Sequence, residues 1–273
     1  MQRIDPATLA RPRTVKPGLN FEGRQVWITG AGRGIGYQVA QAFRQSGARV
    51  VALDRDFHPE VGCDDGKLYP FKTVRLDVTD PGAIRAACDQ LLAEMPRVDV
   101  LVNAAGILRL GSLADTTDAD WQASFDVNVR GPFHMLRALA PQFRAQRHGS
   151  IVNVASNAAH VPRLDMLAYC ASKSALVGLS HCAALELAEY GVRCNVVSPG
   201  STDTPMLRGM LPDAAAFQRT IDGLPAQYKL GIPLKKIATA REIANTVLFL
   251  ASDLASHVTM QDLVVDGGAT LAA

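Results

Sequence analysis

Short apolar runs alternate with longer segments of helical periodicity along most of the chain. Seven runs are almost continuously apolar and rich in β-branched residues, as is typical of strands covered on both faces. They occupy residues 25–29, 49–54, 73–78, 98–103, 150–155, 193–198 and 262–266. Helix-start signals stand between several of them, such as Asp80 before Pro81, or Thr239 three residues before Glu242. The alternation predicts an α/β fold, a single doubly wound (Rossmann) domain with a seven-stranded parallel sheet.

Two segments depart from this alternation. Residues 1–20 contain three prolines and no periodicity, which predicts a flexible N-terminal extension, with a basic transit peptide as the alternative. Residues 199–238 are rich in Pro, Gly and Met and follow the carboxyl end of a strand. Folds of this type bind ligands at that edge, so we expect a substrate lid there. The remaining chain, residues 21–273, is expected to form one domain that includes the lid.

Composition and charge narrow the class of protein. The chain has 28 Lys plus Arg and 26 Asp plus Glu, a net charge of +2, and so lacks the basic field that recruits nucleic acid or an acidic membrane. No apolar run approaches the roughly 18 residues of a membrane span, and the start lacks the apolar centre of a secretory signal. The five cysteines form no CxxC pair, so we expect neither disulfides nor a metal site, and a reducing, cytoplasmic compartment.

A glycine-rich turn follows the first predicted strand and opens a helix. Its sequence is TGAGRGIG, and glycine there allows a tight turn and lets backbone N–H groups approach a pyrophosphate at a helix N-terminus. Because the turn lies between a strand and a helix, it indicates dinucleotide binding more strongly than glycine content alone. The residues expected to contact the dinucleotide here are Gly30, Arg33, Gly34, Ile35 and Gly36.

The second strand ends at Asp54, where a carboxylate can accept both hydroxyls of the adenosine ribose. The same carboxylate would repel a 2′-phosphate, which favours NAD over NADP. Arg33 and Arg55 argue the other way, because either guanidinium could pair with a 2′-phosphate. We give the charge of Asp54 more weight than the two arginines and therefore predict NAD as the cofactor. The alternative is that Asp54 merely ends a strand.

Two more strand ends are predicted to border the same cofactor site. Asp77 and Val78 close the third strand, where a carboxylate could accept the adenine amino group. Asn103, Ala104 and Gly106 close the fourth, where small residues let the backbone pass near the adenosine. Ordinary turn chemistry would also explain both segments.

Four polar residues suggest acid–base chemistry. Tyr169 and Lys173 are four residues apart on a predicted helix, hence on one face. A nearby ammonium favours the phenolate and would lower the pKa of Tyr169. Ser156 follows the fifth strand and could hydrogen-bond a substrate oxygen while Tyr169 moves its proton. Asn128 lies mid-helix, where it could hold a water that leads to Lys173, or simply pack.

Together these segments resemble the short-chain dehydrogenase/reductase family over about residues 22–273. The motifs are the glycine turn, NAAG at 103–106, Asn128, Ser156 and YCASK at 169–173. The resemblance implies hydride transfer at the nicotinamide, with Tyr169 as acid/base and Lys173 on both the nicotinamide ribose and Tyr169. It also implies that Ser156 aligns the substrate and that Asn128 serves a proton relay. By the same resemblance, the nicotinamide carboxamide is bracketed by Pro199, Gly200 and Thr202.

Longer stretches resemble one member of the family that uses NAD on a small anionic cyclic diol. They cover residues 101–109, 158–163, 191–204, 229–234 and 242–268. Arg163 lies between Ser156 and Tyr169, so its guanidinium could grip a substrate carboxylate. Met206, in the lid, could cover a flat ring.

The sequence also allows two other functions, and it bears on the oligomeric state. A different NAD(P)-dependent alcohol dehydrogenase or a 3-oxoacyl reductase could have the same fold and the same catalytic residues. A regulator that binds a dinucleotide without turnover is a third possibility, against which the intact Ser156, Tyr169 and Lys173 argue. The helix around residues 167–190 is apolar on more than one face, which predicts a subunit interface. The family resemblance implies a homotetramer, and the alternative is burial within one subunit.

Overall fold

The computed structural model describes residues 19–57, 69–211 and 213–271. The predicted flexible extension lies almost wholly outside the described residues. Within the described ranges, the chain contains the predicted seven-stranded sheet, and its neighbouring strands all pair in parallel. The doubly wound α/β prediction is therefore confirmed.

The part of the chain that the structure describes contains nine strands, of which seven form the main sheet. They are β1 Gln25–Thr29, β2 Arg49–Asp54, β3 Lys72–Arg75, β4 Val100–Asn103, β5 Gly149–Val154, β6 Val192–Pro199, β7 Thr202–Asp203, β8 Ala238–Thr239 and β9 Asp262–Val265. The sheet order is β3-β2-β1-β4-β5-β6-β9, while β7 and β8 form a separate two-stranded ladder. The chain moves outward from β1 in one direction and then, from β4, in the other. This reversal leaves a crevice beyond the carboxyl ends of β1 and β4.

The described residues form eight α-helices, five of which contribute to the hydrophobic cores on the two faces of the sheet. They are α1 Gly34–Gln45, α2 Pro81–Glu94, α3 Asp118–Phe125, α4 Gly131–Gln146, α5 Leu167–Ala188, α6 Pro205–Arg208, α7 Ala214–Asp222 and α8 Ala240–Ala251. Alternate residues of β1 enter different cores. Val26 and Ile28 pack with α1 and α8, whereas Trp27 packs with α2, α4 and α5. Burial on both faces explains why the strands are so uniformly apolar.

The helix-start signals form the predicted caps. The Asp80 carboxylate accepts from the backbone N–H groups of Gly82 and Ala83. Thr239 and Glu242 form a reciprocal capping box at the start of α8. After the C-terminal end of α1, Gly47 has φ of +87°. Glycine adopts this left-handed conformation, which is common at helix ends, without steric strain.

Several strand boundaries differ from the sequence prediction, and the end of β3 differs most. β3 ends at Arg75 rather than at residue 78, because the Asp77 carboxylate accepts the backbone N–H and the hydroxyl of Thr79 and turns the chain. The segment 199–238 is also more ordered than its Pro and Gly content suggests. It contains α6 and α7, and the β7–β8 ladder joins its two ends.

The described parts of the chain contain no helix that is both long enough and apolar enough to cross a bilayer. The four cysteines in these ranges, Cys88, Cys170, Cys182 and Cys194, are free thiols. The same ranges contain no cluster of three His, Cys, Asp or Glu side chains suited to a metal ion.

Candidate active site

One cavity opens at the carboxyl edge of the sheet, where the two halves of the fold diverge. It is lined by the turn before α1, by the ends of β2, β4 and β5, by α5 and by the first residues of α6. Thirteen of the predicted site residues line this cavity: Gly30, Arg33, Gly34, Ile35, Gly36, Asp54, Asp77, Val78, Ala104, Gly106, Tyr169, Lys173 and Met206. The glycine turn and the Tyr169–Lys173 pair therefore share one space.

The glycine turn is shaped by close backbone contacts. A Cβ on Gly30 would lie 2.5 Å from the backbone nitrogen of Ala105, and one on Gly36 would lie 2.1 Å from the carbonyl oxygen of Gly30. Helix α1 begins at Gly34, and Arg33 supplies no side-chain cap for its first backbone N–H groups. Those groups and the helix dipole form a site for an anionic oxygen beside the cavity, so the turn fits a pyrophosphate.

Asp54 faces this turn from the end of β2. One carboxylate oxygen accepts the backbone N–H of Gly32 at 2.7 Å, and the other accepts that of Asp56 at 3.0 Å. Each oxygen keeps lone-pair capacity for a further donor, such as a ribose hydroxyl. Asp54 therefore both shapes the turn and presents negative charge to the cavity.

Tyr69 supports the same turn from outside the predicted site. Its hydroxyl donates to the carbonyl oxygen of Gly32 at 2.8 Å, and its ring contacts those of Phe57 and Tyr37. No strand, helix or glycine motif in the sequence marks Tyr69. The nearby aromatic residues were the available signal.

Acidic partners compensate the positive charge beside Asp54. The Arg55 guanidinium hydrogen-bonds Asp56 at 3.0 Å and lies 3.8 Å from the Asp77 carboxylate. The hydrogen bond that Arg55 donates to Asp56 raises the pKa of Arg55. Burial acts to raise the pKa of Asp77, but the bonds from Thr79 and the charge of Arg55 outweigh it, and the net pKa is lowered. Arg55 is thus already engaged, which weakens the case that it binds a 2′-phosphate.

Tyr169 and Lys173 are both buried and lie on the cavity side of α5. The Lys173 Nζ donates to the carbonyl oxygen of Val154 at 2.9 Å and lies 5.8 Å from the centre of the Tyr169 ring. The four-residue spacing on α5 thus places them together, as predicted.

The predicted lowering of the Tyr169 pKa by Lys173 is not what this structure shows. Burial raises the pKa of Tyr169, and the hydrogen bond with Ser156 opposes that rise. Burial also lowers the pKa of Lys173 to about 8. The reason is that both groups lie in a dry pocket, which disfavours the charged form of each. In this state Ser156, rather than Lys173, is the neighbour that favours the phenolate.

Asn128 is completely buried in a π-helical segment between α3 and α4. Its side-chain oxygen accepts the backbone N–H of Ile107 at 2.9 Å. Its side-chain nitrogen donates to the carbonyl oxygen of Ile107 at 3.0 Å and to the Ser172 hydroxyl at 2.9 Å. Ser172 in turn donates to the Tyr169 carbonyl at 2.8 Å. Asn128 therefore ties the loop after β4 to the helix that carries Tyr169, a connection that the sequence did not reveal.

Seven predicted site residues do not line this cavity directly: Asn103, Asn128, Ser156, Arg163, Pro199, Gly200 and Thr202. Asn103 is buried and donates to the side-chain oxygen of Asn153 at 2.8 Å, while its own side-chain oxygen is buried and accepts no hydrogen bond from the described residues. Gly200 packs closely against Asp266, and the Thr202 hydroxyl donates to the carbonyl of Gly200. Ser156 lies close enough to Tyr169 to oppose the rise in the pKa of Tyr169.

Comparison with known proteins agrees with this arrangement. A family model described as enoyl-(acyl carrier protein) reductase matches residues 30–270. Together with full-length relatives well above 30% identity, this match shows that the chain belongs to the short-chain dehydrogenase/reductase family of oxidoreductases. Members of this family use NAD or NADP, and the glycine turn of this chain fits the pyrophosphate that both contain.

Three relatives share the same enzymatic activity in their names. The chain is 54% identical to 2,3-dihydro-2,3-dihydroxybenzoate dehydrogenase of Escherichia coli, over 93% of this chain and 100% of that protein. It is 44% identical to the protein of the same name from Bacillus subtilis, over 92% and 97%. It is 41% identical to the vibriobactin-specific enzyme of Vibrio cholerae, over 93% and 98%.

Two solved structures resemble the fold closely. An aldohexose dehydrogenase from Thermoplasma acidophilum has a TM-score of 0.82 at 31% identity, covering 93% of this chain and 96% of that one. A gluconate 5-dehydrogenase from Burkholderia cenocepacia, in complex with NADP and tartrate, has a TM-score of 0.83 at 31% identity, covering 93% and 98%.

Proposed function

We propose that the protein oxidises the C3 alcohol of 2,3-dihydro-2,3-dihydroxybenzoate with NAD, giving 2,3-dihydroxybenzoate for siderophore biosynthesis. The observation that carries this proposal is the 54% identity to the E. coli dehydrogenase along that protein's entire length. The cavity supports it chemically, because a glycine turn suited to a dinucleotide and a buried Tyr–Lys pair line the same space.

We propose NAD as the cofactor on the strength of Asp54. Its carboxylate lies at the cavity wall beside the glycine turn, where a 2′-phosphate would meet like charge. Arg55, one of the two competing cations, is engaged by Asp56. Gly30, Arg33, Gly34, Ile35 and Gly36 would hold the pyrophosphate. The adenosine would lie against the remaining members of the proposed cofactor set, Asp77, Val78, Asn103, Ala104 and Gly106.

At the reacting end, bound NAD supplies the acceptor for the hydride that leaves C3. To act as the base, Tyr169 must first be ionised, which its burial opposes and Ser156 favours. It then takes the proton of the C3 hydroxyl, so that the C–H and O–H bonds break and a C=O bond forms. Ser156 donates a hydrogen bond to the same oxygen and holds it in line with Tyr169. The resulting ketone tautomerises to an aromatic catechol, which makes the net reaction strongly favourable.

Lys173 and Asn128 support this proton transfer. Lys173 would bind the nicotinamide ribose, and its Nζ lies against the Tyr169 ring. The ideal Cβ position on Gly106 lies 3.3 Å both from the Asn128 side-chain oxygen and from the Lys173 Nζ. A water beside Gly106 could therefore link the two side chains and carry the proton outward. Pro199, Gly200 and Thr202 would bracket the nicotinamide carboxamide.

We further propose a cytoplasmic homotetramer. The exposed apolar side chains of α4 and α5, Phe133, Leu167 and Leu185, form the kind of surface that a second subunit covers. The free thiols of the described cysteines suit a reducing compartment. Sedimentation at several protein concentrations tests the assembly, and a monomer at all of them would contradict it.

The function is tested by NADH production from 2,3-dihydro-2,3-dihydroxybenzoate. Neutral cyclohexanols and a 3-oxoacyl thioester with NADPH serve as the competing substrates. We expect kcat/KM for the carboxylated diol to exceed the others by at least about 100-fold, since a charged contact discriminates more strongly than a methylene. A higher kcat/KM for the thioester would instead identify a 3-oxoacyl reductase, and nucleotide binding without any turnover would identify a regulator.

A further inference from the structure

The carboxylate of Asp266 lies where the segments that follow β5 and β6 come together. Asp266 follows directly after β9 and is buried. It accepts a hydrogen bond at 3.2 Å from the side-chain nitrogen of Asn157, the residue after Ser156. A Cβ on Gly200 would lie 2.4 Å from the Asp266 Cβ and 3.3 Å from the same Asn157 nitrogen. Asp266 is therefore packed against two segments of the proposed active site, although it does not line the cavity.

Four hydrogen bonds hold the Asp266 carboxylate in one orientation. One oxygen accepts the backbone N–H of Gly268 at 2.9 Å. The other accepts the backbone N–H of Thr270 at 2.9 Å, its hydroxyl at 2.7 Å, and the Asn157 side chain. Burial acts to raise the pKa of Asp266, but these bonds together outweigh it, and the net pKa is lowered. The carboxylate is ionised, and one of its four bonds reaches outside the C-terminal turn.

The turn that carries Asp266 is itself anchored to the end of the lid. Gly267 and Gly268 have φ of +66° and +87°, which glycine adopts without strain. The Gly267 carbonyl accepts the backbone N–H of Leu234 at 3.1 Å. A Cβ on Gly268 would lie 3.1 Å from the side chain of Pro233. Asp266 is thus presented by a fixed platform.

Asn157 connects this platform to Ser156. It is buried and begins a short 3-10 turn, Asn157–Ala159, for which Ser156 is the N-cap. The Ser156 hydroxyl oxygen accepts the backbone N–H of Ala158 at 3.2 Å, so the turn sets the position of that hydroxyl. The bond from Asn157 to Asp266 therefore fixes the first residue of the turn that orients Ser156.

We infer that Asp266 is a positioning residue, which holds the Ser156 hydroxyl in line with Tyr169 through its hydrogen bond with Asn157. Asp266 touches no reacting atom and acts only through the turn after β5. This inference rests on the proposed function for the role of Ser156, but it does not depend on which alcohol is oxidised. The competing interpretation is that Asp266 only stabilises the C-terminal turn.

The test is a double-mutant cycle on kcat between Asp266→Ala and Ser156→Ala, with NAD and 2,3-dihydro-2,3-dihydroxybenzoate. Alanine at position 266 keeps the Cβ against which Gly200 packs, so the segment after β6 keeps that contact. Asn157→Ala is the second variant. It breaks only the bond that reaches the Ser156 turn and leaves the other three bonds of Asp266 in place.

Glu242→Ala serves as the matched control. Like Asp266, Glu242 is a carboxylate that accepts a backbone N–H and a threonine hydroxyl, here those of Thr239 at 2.8 and 3.0 Å. It lies at the start of α8 and does not line the cavity. The Kd for NADH and the melting temperature report whether each variant is folded.

We expect Asp266→Ala and Asn157→Ala each to lower kcat by about 10- to 100-fold, because misplacing a catalytic group by about 1 Å costs about that much. The Kd for NADH should change by less than about two-fold, since the glycine turn is untouched. In the Ser156→Ala background, neither substitution should lower kcat further. Glu242→Ala should lower the melting temperature and leave kcat unchanged.

Crystal structures of the two variants give a readout that needs no turnover. The Ser156 backbone should shift by about 0.5 Å or more relative to β5, the tolerance of a catalytic geometry. An unshifted Ser156, or equal losses of kcat with and without the Ser156 hydroxyl, would overturn the inference. If the wild-type protein fails to oxidise the dihydrodiol while Ser156 shifts in both variants, the proposed substrate is wrong and the positioning role stands.

Discussion

Replacing Asp54 with Ala tests the cofactor preference at its source. The substitution removes the carboxylate that accepts from the backbone of Gly32 at 2.7 Å and of Asp56 at 3.0 Å. It also removes the negative charge that a 2′-phosphate would meet at the cavity wall. We expect weaker binding of NAD, stronger binding of NADP, and a slightly looser glycine turn.

The size of the effect follows from the charges. Two unit charges about 4 Å apart interact by about 4 kcal/mol at an effective dielectric constant near 20. Asp54 is partly exposed, so solvent screening reduces this to about 2–3 kcal/mol, a factor of about 30–150 in affinity. Loss of the bonds to the ribose should weaken NAD by a further ten-fold or so.

The assay is kcat/KM with NAD and with NADP for the wild-type protein and Asp54→Ala. Asp89→Ala is the control, because Asp89 is an exposed carboxylate on α2, away from the cavity. The ratio of the two kcat/KM values should shift toward NADP by at least about 30-fold in Asp54→Ala and by less than about two-fold in the control. An unchanged ratio in Asp54→Ala would refute the electrostatic argument.

Three further substitutions probe the catalytic residues. Tyr169→Phe should lower kcat at least about 1000-fold while the Kd for NAD stays the same, because only the proton-transferring oxygen is lost; retained turnover would remove Tyr169 from its role. The free energy of unfolding of the wild-type protein should depend on pH, and Lys173→Met should abolish that dependence. Because burial lowers the Lys173 pKa from 10.5 to about 8, the unfolded state binds more protons between these values, and wild-type stability should rise with pH by up to about 3 kcal/mol. A flat wild-type curve from pH 8 to 10 would contradict this. Asn128→Ala should destabilise the protein by about 3 kcal/mol in denaturant unfolding, since it leaves buried partners on Ile107 and Ser172 unbonded; a loss below about 1 kcal/mol would show that those bonds matter little.

Local sequence patterns were sufficient to predict the sheet and the position of the site. The apolar runs mark strands that are buried on both faces, and the glycine turn marks the start of α1. Spacing alone placed Tyr169 and Lys173 on one face of α5. These features depend on residues that are close together in the chain, which is why the sequence alone predicts them.

The pKa values and the contacts of the site required the structure. Whether Lys173 lowers the Tyr169 pKa depends on how deeply both side chains are buried, and the sequence does not give that depth. The Asn128–Ser172 bond joins residues 44 positions apart.

The most direct test of the proposed reaction follows the hydrogen on C3. The protein is given NAD and 2,3-dihydro-2,3-dihydroxybenzoate carrying deuterium at C3, and the reduced cofactor is analysed by mass spectrometry. If the C3 alcohol is oxidised by hydride transfer, the reduced cofactor carries the deuterium and 2,3-dihydroxybenzoate forms in equal amount. Unlabelled NADH, or aromatic product formed without reduction of NAD, would contradict the proposed reaction.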